Sequence, residues 1–478
     1  MADTTTARPE IKFGTDGWRG VIADTFTFDS VRTVSQAAAD YLRSPGTLSV
    51  RVAVGYDTRF QSETFAALVA EVLAANGIHV ELSACAIPSP CVSWAIRERG
   101  LDAGIVLTAS HNPPQFNGLK FKADYAGSAD RGVTSQIESF LYRTEPKVLA
   151  LDEAKARGLV EKKDFVPSYL GALRAFVDFG RIAGARFHVV ADAMYGAQQH
   201  LMAELLNWTP STVETIRGER NPNFPGIFPE PIPPHTELLQ QTVVEHGADV
   251  GLAVDGDADR IGACMPDGTF VSPHQIFAML LLHFLENRRG QGIVVKTISS
   301  TTLVEKIARK HGLELVEVPI GFKHICELLR TRDVLIGGEE SGGIGYAGYI
   351  PERDGTLSGL LLLELMATTG RRLDEIMAGL DAEYGTFRFR RMDVDYPLER
   401  KDDLLKHLAR RPIRALGGSP VVEVKTYDGV KFIAKNDDWL LVRPSGTEPV
   451  LRIYAEAKSF DAVDELLALG ERTARSIL

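Results

Sequence analysis

The sequence has little cysteine and no metal-binding histidine cluster. Its four cysteines, Cys85, Cys91, Cys264 and Cys326, lack metal-ligand spacing and suit buried thiols in a reducing compartment better than a disulfide framework. The eleven histidines form no HExxH or similar cluster, so zinc is not expected. Long apolar runs are missing too: the longest, residues 276–285 and 357–366, are interrupted and too short to span a bilayer. The first ten residues contain no apolar h-region, so no signal peptide is expected there. A formal charge of −10 argues against general nucleic-acid binding, and any anionic substrate would have to be captured by local basic groups. These absences leave a cytoplasmic, enzyme-like protein with neither membrane nor nucleic acid as partner, and composition says no more.

What is present is a long chain of ordinary globular composition: 478 residues, 45% apolar and 24% charged. At ~100–150 residues per domain, three or four domains are expected. Strand and helix patterns alternate from the start, with strands at 50–56, 78–82 and 103–107 and helices at 62–76 and 92–99. A charged stretch without a strand pattern, 145–164, reads as a junction. The alternation resumes with helix 169–178, strand 187–192, helix 197–207, a proline-rich loop at 221–234, helix 236–246 and strand 249–254. A third block holds helix 273–287, strand 292–297, helix 301–311, strands 314–318 and 334–337, and helix 357–368. After about residue 386 strands dominate, with a hairpin at 427–430, strands 439–443 and 450–457, and a closing helix 461–477. The resulting expectation is three α/β domains, 1–150, 151–265 and 266–384, and a smaller α+β domain, 385–478. Rhythm alone suggests that the first three share a topology.

Four loops carry chemistry. Thr108-Ala109-Ser110-His111-Asn112-Pro113 follows the strand at 103–107, so Ser110 stands where open α/β sheets put their sites. Pro113 and Pro114 stiffen the loop, and a hydroxyl held there suits a nucleophile or phosphate carrier; taken alone, the stretch reads first as an ordinary Ser-Asn-Pro turn. Asp255-Gly256-Asp257-Ala258-Asp259-Arg260 presents three hard carboxylates at alternate positions, suited to Mg²⁺, Mn²⁺ or Ca²⁺. Arg260 and Pro266 occupy the positions where an EF-hand needs Gly and Glu, which excludes that motif. A phosphatase with Asp255 as nucleophile and a solvated acidic turn remain alternatives. Three aspartates and a phosphoserine would outweigh one divalent cation, which recruits Arg260 and further cations. Gly338-Glu339-Glu340-Ser341-Gly342-Gly343 can grip vicinal sugar hydroxyls, although a polar turn explains it as well. Arg443-Pro444-Ser445-Gly446-Thr447-Glu448-Pro449 offers an Arg fork, two hydroxyls and exposed amides as a phosphate cradle, or a plain hairpin turn.

Together with Phe13-Gly14-Thr15-Asp16-Gly17-Trp18-Arg19-Gly20, the four loops in this order resemble one family over nearly the whole chain: the α-D-phosphohexomutases, which include phosphoglucomutases and phosphomannomutases. The resemblance implies four domains around one central cleft, with a last domain like the TATA-box-binding-protein fold. It implies that Ser110 bears the transferable phosphoryl group and that Asp255, Asp257 and Asp259 hold Mg²⁺ together with an oxygen of that phosphate. Glu339 and Ser341 would bind sugar hydroxyls, and Arg443, Ser445, Gly446 and Thr447 the phosphate that is not reacting. Arg19, His111 and Lys120 flank the serine as candidates for proton transfer and charge compensation. The implied reaction moves a phosphoryl group between the 1- and 6-positions of a hexose phosphate, with a 1,6-bisphosphate (glucose 1,6-bisphosphate for glucose) as intermediate and activator. Gly321-Phe322-Lys323-His324, which brings Lys323 to the sugar, resembles the form found in glucose-phosphate mutases. Gly343 replaces a His frequent in phosphomannomutases. Glucose phosphates are therefore the expected substrate, with mannose phosphates as the alternative and a metal-dependent sugar phosphatase more remote. Oligomeric state is not legible.

Overall fold

A computed structural model describes residues 10–14, 16–44, 49–445 and 449–477. It contains three sheets of mixed direction and one fully antiparallel sheet, as the fold-class expectation required. The first three repeat one plan. In the first, Arg51–Tyr56 is central, with His79–Ser83 and Ala103–Leu107 parallel on either side; Phe116–Ala123 then returns antiparallel to Ala103–Leu107. In the second, His188–Asp192, Thr212–Ile216, Val250–Val254 and Ile261–Cys264 take the same four places. In the third, they are taken by Ile293–Thr297, Leu315–Val318, Val334–Gly338 and Ile344–Tyr346. The topology that rhythm suggested is therefore shared.

Ala103–Leu107, Val250–Val254 and Val334–Gly338 are buried at every position, as strands covered on both faces must be. Each leads straight into one of the chemistry-bearing loops, which then turns into the antiparallel strand. The fourth sheet runs in the order 388–395, 450–457, 439–444, 430–434, 419–425 and 415–416. It has its own core with helices Lys401–Arg410 and Phe460–Arg475. Among the described residues no helix is long and apolar enough to cross a membrane. The four cysteines are free; Cys85 is exposed, and the other three are buried as expected.

Several elements differ from the reading by pattern. The stretch 145–164 is not strandless: it holds helix Leu151–Ala156 and strand Val160–Lys163, which pairs with His79–Ser83, so the first sheet extends past residue 150. Its charges hide the strand because Glu161 and Lys162 face solvent at the sheet edge. Helix 197–207 shrinks to Leu201–Leu206, because Met194, Tyr195 and Gln199 have positive φ and hold the chain in turns. Thr212–Ile216, Ile261–Cys264 and helix Phe322–Thr331 have no counterpart in the pattern reading.

Helix Gly355–Thr369 is apolar nearly all round and buried along most of its length. Gly359 lets it approach Leu252 and Met202 of the second domain. Its Glu364 accepts from His283 (3.0 Å), from both arms of Arg288 (2.7 and 2.6 Å) and from the Asp178 amide (2.8 Å). Burial by itself would raise the Glu364 pKa; the bonds from His283, Arg288 and the amide prevail and hold it at about 2. A carboxylate depressed in the fold stabilises it fully above its unfolded pKa of roughly 4.3, and that contribution is lost as pH falls toward 2. The melting temperature of Glu364→Gln should therefore lie well below wild type at pH 6, with the gap narrowing steadily between pH 4.5 and 3.

Candidate active site

Ser110 stands at the mouth of the Ala103–Leu107 strand with φ +52, a left-handed conformation unusual for serine. Its amide donates to Thr108 Oγ1 (2.9 Å), and its own hydroxyl donates to Asp255 Oδ2 (2.6 Å), from the equivalent loop of the second domain. The loops are pressed together. A Cβ on Gly256 would lie 2.4 Å from the Ser110 carbonyl oxygen, so only glycine admits this approach.

Asp255, Asp257 and Asp259 are fully buried, and one oxygen of each lies within 4.8 Å of the others. Asp255 Oδ1 accepts from the amides of Asp259 (2.9 Å) and Arg260 (3.1 Å), which folds the loop around it. Burial, and then the charges of Asp259 and Asp257, push the Asp255 pKa well up. Asp257 Oδ1 and Asp259 Oδ1 are buried with no hydrogen-bond partner. Orphaned hard oxygens in a crowded anionic pocket fit a divalent cation such as Mg²⁺.

Cations surround this pocket, most of them from other domains. Lys120 Nζ is buried within 2.7 Å of Asp257 Oδ2, 2.9 Å of Asp259 Oδ2 and 2.7 Å of Asp16 Oδ2. Burial would lower its pKa, but Asp16, Asp257 and Asp259 raise it above the ordinary lysine value and keep it charged. Arg260 Nε lies 3.8 Å from Asp255 and 3.9 Å from Asp259. Arg19 donates to Asn112 Oδ1 (2.5 Å). His111 Nδ1 is 3.4 Å from Ser110 Oγ. Burial, followed by the charges of Arg260, Arg19, Arg391 and Arg59, pushes His111 well below the usual imidazole value, so the ring is neutral at pH 7.

The third loop faces the same place. Glu339 is buried against Arg353 Nη1 (2.9 Å), and burial lifts its pKa to about 7 against the pull of Arg353. Ser341 is half-buried. A Cβ at Gly343 would meet Arg353 Cδ at 2.6 Å, so glycine here gives the arginine its path. Lys323 lies in the first turn of helix Phe322–Thr331 and is half-buried; burial and Arg131 lower its pKa. In the last domain Arg443 donates to Asp428 Oδ1 (2.7 Å), whose other oxygen accepts from the Ile320 amide (2.8 Å). The Arg443 loop is thereby tied to the segment that carries Lys323. Ser445 is buried, while Gly446 and Thr447 lie outside the described residues.

Three residues at the site escaped the reading by motif. Asp16 joins Lys120 and Arg353, although the motif that contains it was noticed. Ser89 donates its hydroxyl to Asp257 from the first turn of helix Ser89–Arg99. Arg353 binds Asp16, Asp259 (2.8 Å) and Glu339, one from each α/β domain. The run Glu352-Arg353-Asp354 before an apolar helix was the available signal, since consecutive charges at the entrance to a buried helix need partners.

Family domain models for phosphoglucomutase/phosphomannomutase match in order: domain I at 10–147, domain II at 167–268, domain III at 272–384 and the C-terminal domain at 398–469. The chain belongs to this family. Its members are phosphohexomutases, and so is this enzyme. A phosphoglucomutase/phosphomannomutase of Thermococcus kodakarensis is 30% identical, covering 96% of this chain and 97% of its own. A protein of Methanothermobacter thermautotrophicus described as a phosphoglucosamine mutase is 31% identical, covering 94% of both. A solved structure from Thermus thermophilus described as a phosphomannomutase superposes with a TM-score of 0.86 at 35% identity, covering 98% of this chain and 99% of that one.

Gly256→Ala should lower mutase turnover by at least about tenfold, because the loop must retreat from Ser110; steady-state kinetics check this. Millimolar Mg²⁺ should raise the melting temperature of the wild type, and Asp257→Asn should lose most of that shift.

Proposed function

We propose that this mutase interconverts glucose 1-phosphate and glucose 6-phosphate through phosphoserine 110 and glucose 1,6-bisphosphate. The observation that carries the reading is the Ser110 hydroxyl, buried and bonded to Asp255 at the junction of two domains, with no Ser-His-Asp triad behind it. A serine so held serves as a phosphoryl carrier. In the first half-reaction the bond from phosphorus to Ser110 Oγ breaks as the free sugar hydroxyl bonds to phosphorus. The hydroxyl loses its proton, and Ser110 Oγ gains one. The bisphosphate then turns over in the cleft, and the reverse transfer from its other end restores phosphoserine.

Positioning and charge supply most of such a transfer. His111 lies beside Ser110 Oγ, but the burial and arginine charges that keep it neutral also make it a weak base. Lys120, clamped by three carboxylates, and Arg19 and Arg260 supply positive charge. Mg²⁺ held by Asp255, Asp257, Asp259 and an oxygen on Ser110 would draw charge from the phosphoryl group. Glu339 and Ser341 would read sugar hydroxyls in both orientations, with Lys323 beside them. Arg443, Ser445, Gly446 and Thr447 would hold the idle phosphate.

Relatives of near-equal identity are named for glucose, mannose and glucosamine phosphates, so the choice of sugar rests on the Gly321-Phe322-Lys323-His324 segment and on Gly343. Wild type treated with glucose 1,6-bisphosphate should carry phosphate on the Ser110 peptide by mass spectrometry. Ser110→Ala should lose mutase activity to background, and activity near wild type would refute the mechanism. Among glucose, mannose and glucosamine 1-phosphates, glucose should give the highest kcat/KM.

A further inference from the structure

We infer that Arg59 is a positioning residue for phosphoryl transfer: its guanidinium fixes the backbone of the serine loop and so keeps Ser110 Oγ on Asp255. The inference rests on the assignment of Ser110 as the phosphoryl carrier. Arg59 follows the central strand Arg51–Tyr56 and has no exposed surface. Its Nη2 donates to the carbonyl oxygens of Ser110 and Asn112, both at 2.6 Å. Its Nη1 donates to those of Pro113 (2.9 Å) and Phe116 (3.1 Å). One fork thus gathers four carbonyls of a seven-residue turn.

From outside, the turn is also held by the Ile22 amide on the Gln115 carbonyl (2.8 Å) and by Arg19 on the Asn112 side chain, but its own backbone bonds are few. Pro113 and Pro114 have no amide hydrogen, and the turn's internal backbone bonds are those from Asn112 to Ala109 and from Phe116 to Pro113. Without the fork, the carbonyls of Ser110 and Asn112 would be left to compete for other donors while Ser110 stays at φ +52, and that of Pro113 would keep only the Phe116 amide. The arginine is itself fixed from behind. Asp57 Oδ2 lies 3.4 Å from its Nε, and Asp57 Oδ1 accepts from the Arg59 amide (2.9 Å) and from Ser62 Oγ (2.8 Å). The Phe224 ring of the second domain lies 5.0 Å from the guanidinium carbon.

The same place in the other α/β domains does the same work by other means. After the central strand of the second, the Ala197 amide donates to the Gly256 carbonyl (2.8 Å). At the last residue of the central strand of the third and just after it, the Thr297 and Ser299 hydroxyls donate to Glu340 Oε2 (3.1 and 2.6 Å). In each domain the loop after the central strand braces the loop that carries chemistry.

Lysine has one nitrogen and cannot span four carbonyls, so Arg59→Lys isolates the fork from the charge. Folded Arg59→Lys, judged by circular dichroism and melting temperature, should show kcat reduced about 10²-fold with KM little changed, and slower phosphorylation of Ser110 by glucose 1,6-bisphosphate. Added methylguanidinium should partly restore turnover to Arg59→Ala. Wild-type kcat in folded Arg59→Lys, with phosphate on Ser110 in the parent, would overturn the inference and leave the carrier assignment standing. No phosphate on wild-type Ser110 would overturn both. Should lysine prevent folding, Asp57→Asn loosens the same guanidinium, and an unchanged kcat in that variant counts against the inference equally.

Discussion

The site depends on how negative charge is buried. Asp16, Asp255, Asp257 and Asp259 converge where little or no water reaches them, and like charges a few ångströms apart at low dielectric repel by several kcal/mol. Lys120 from the first domain and Arg353 from the third offset that repulsion, each through contacts to carboxylates of other domains. Arg260 shares a domain with the three loop aspartates, but Lys120 and Arg353 reach them from the other two α/β domains, so the full set of counter-charges meets only when the three pack. The core follows the same logic: one apolar cluster runs through parts of all three, including Cys91, Leu252 and Leu361, while the last domain keeps its own.

Repetition of one small plan delivers the chemistry to one place. Three times a buried parallel strand ends, a loop turns, and an antiparallel strand returns. The turns carry Ser110, the three aspartates and Glu339. Close approach between turns is bought with glycine at Gly256, under the Ser110 carbonyl, and at Gly343, beside Arg353. The bracing loops are less uniform. Arginine, a backbone amide and two hydroxyls fill the same place, because each supported turn presents different groups.

The strands that lead to the site were legible because they are short, apolar and β-branched. Those at 103–107 and 250–254 match the pattern almost residue for residue. The four loops were legible through their combination and order, since each by itself reads as an ordinary turn. Edge elements were not. Val160–Lys163 reads as charge because its side chains face water, and helix 197–207 reads long because composition does not reveal positive φ.

The order of elements, the number of domains and the residue types of the chemistry are thus properties of the sequence, set by periodicity and local chain stiffness. Which cations meet which carboxylates was decided by the tertiary structure. Asp16 and Arg353 are 337 positions apart, and Arg59 reaches a turn about fifty residues on. Such pairs leave no periodic trace, since a buried charge needs only a partner in space and not at any fixed spacing along the chain.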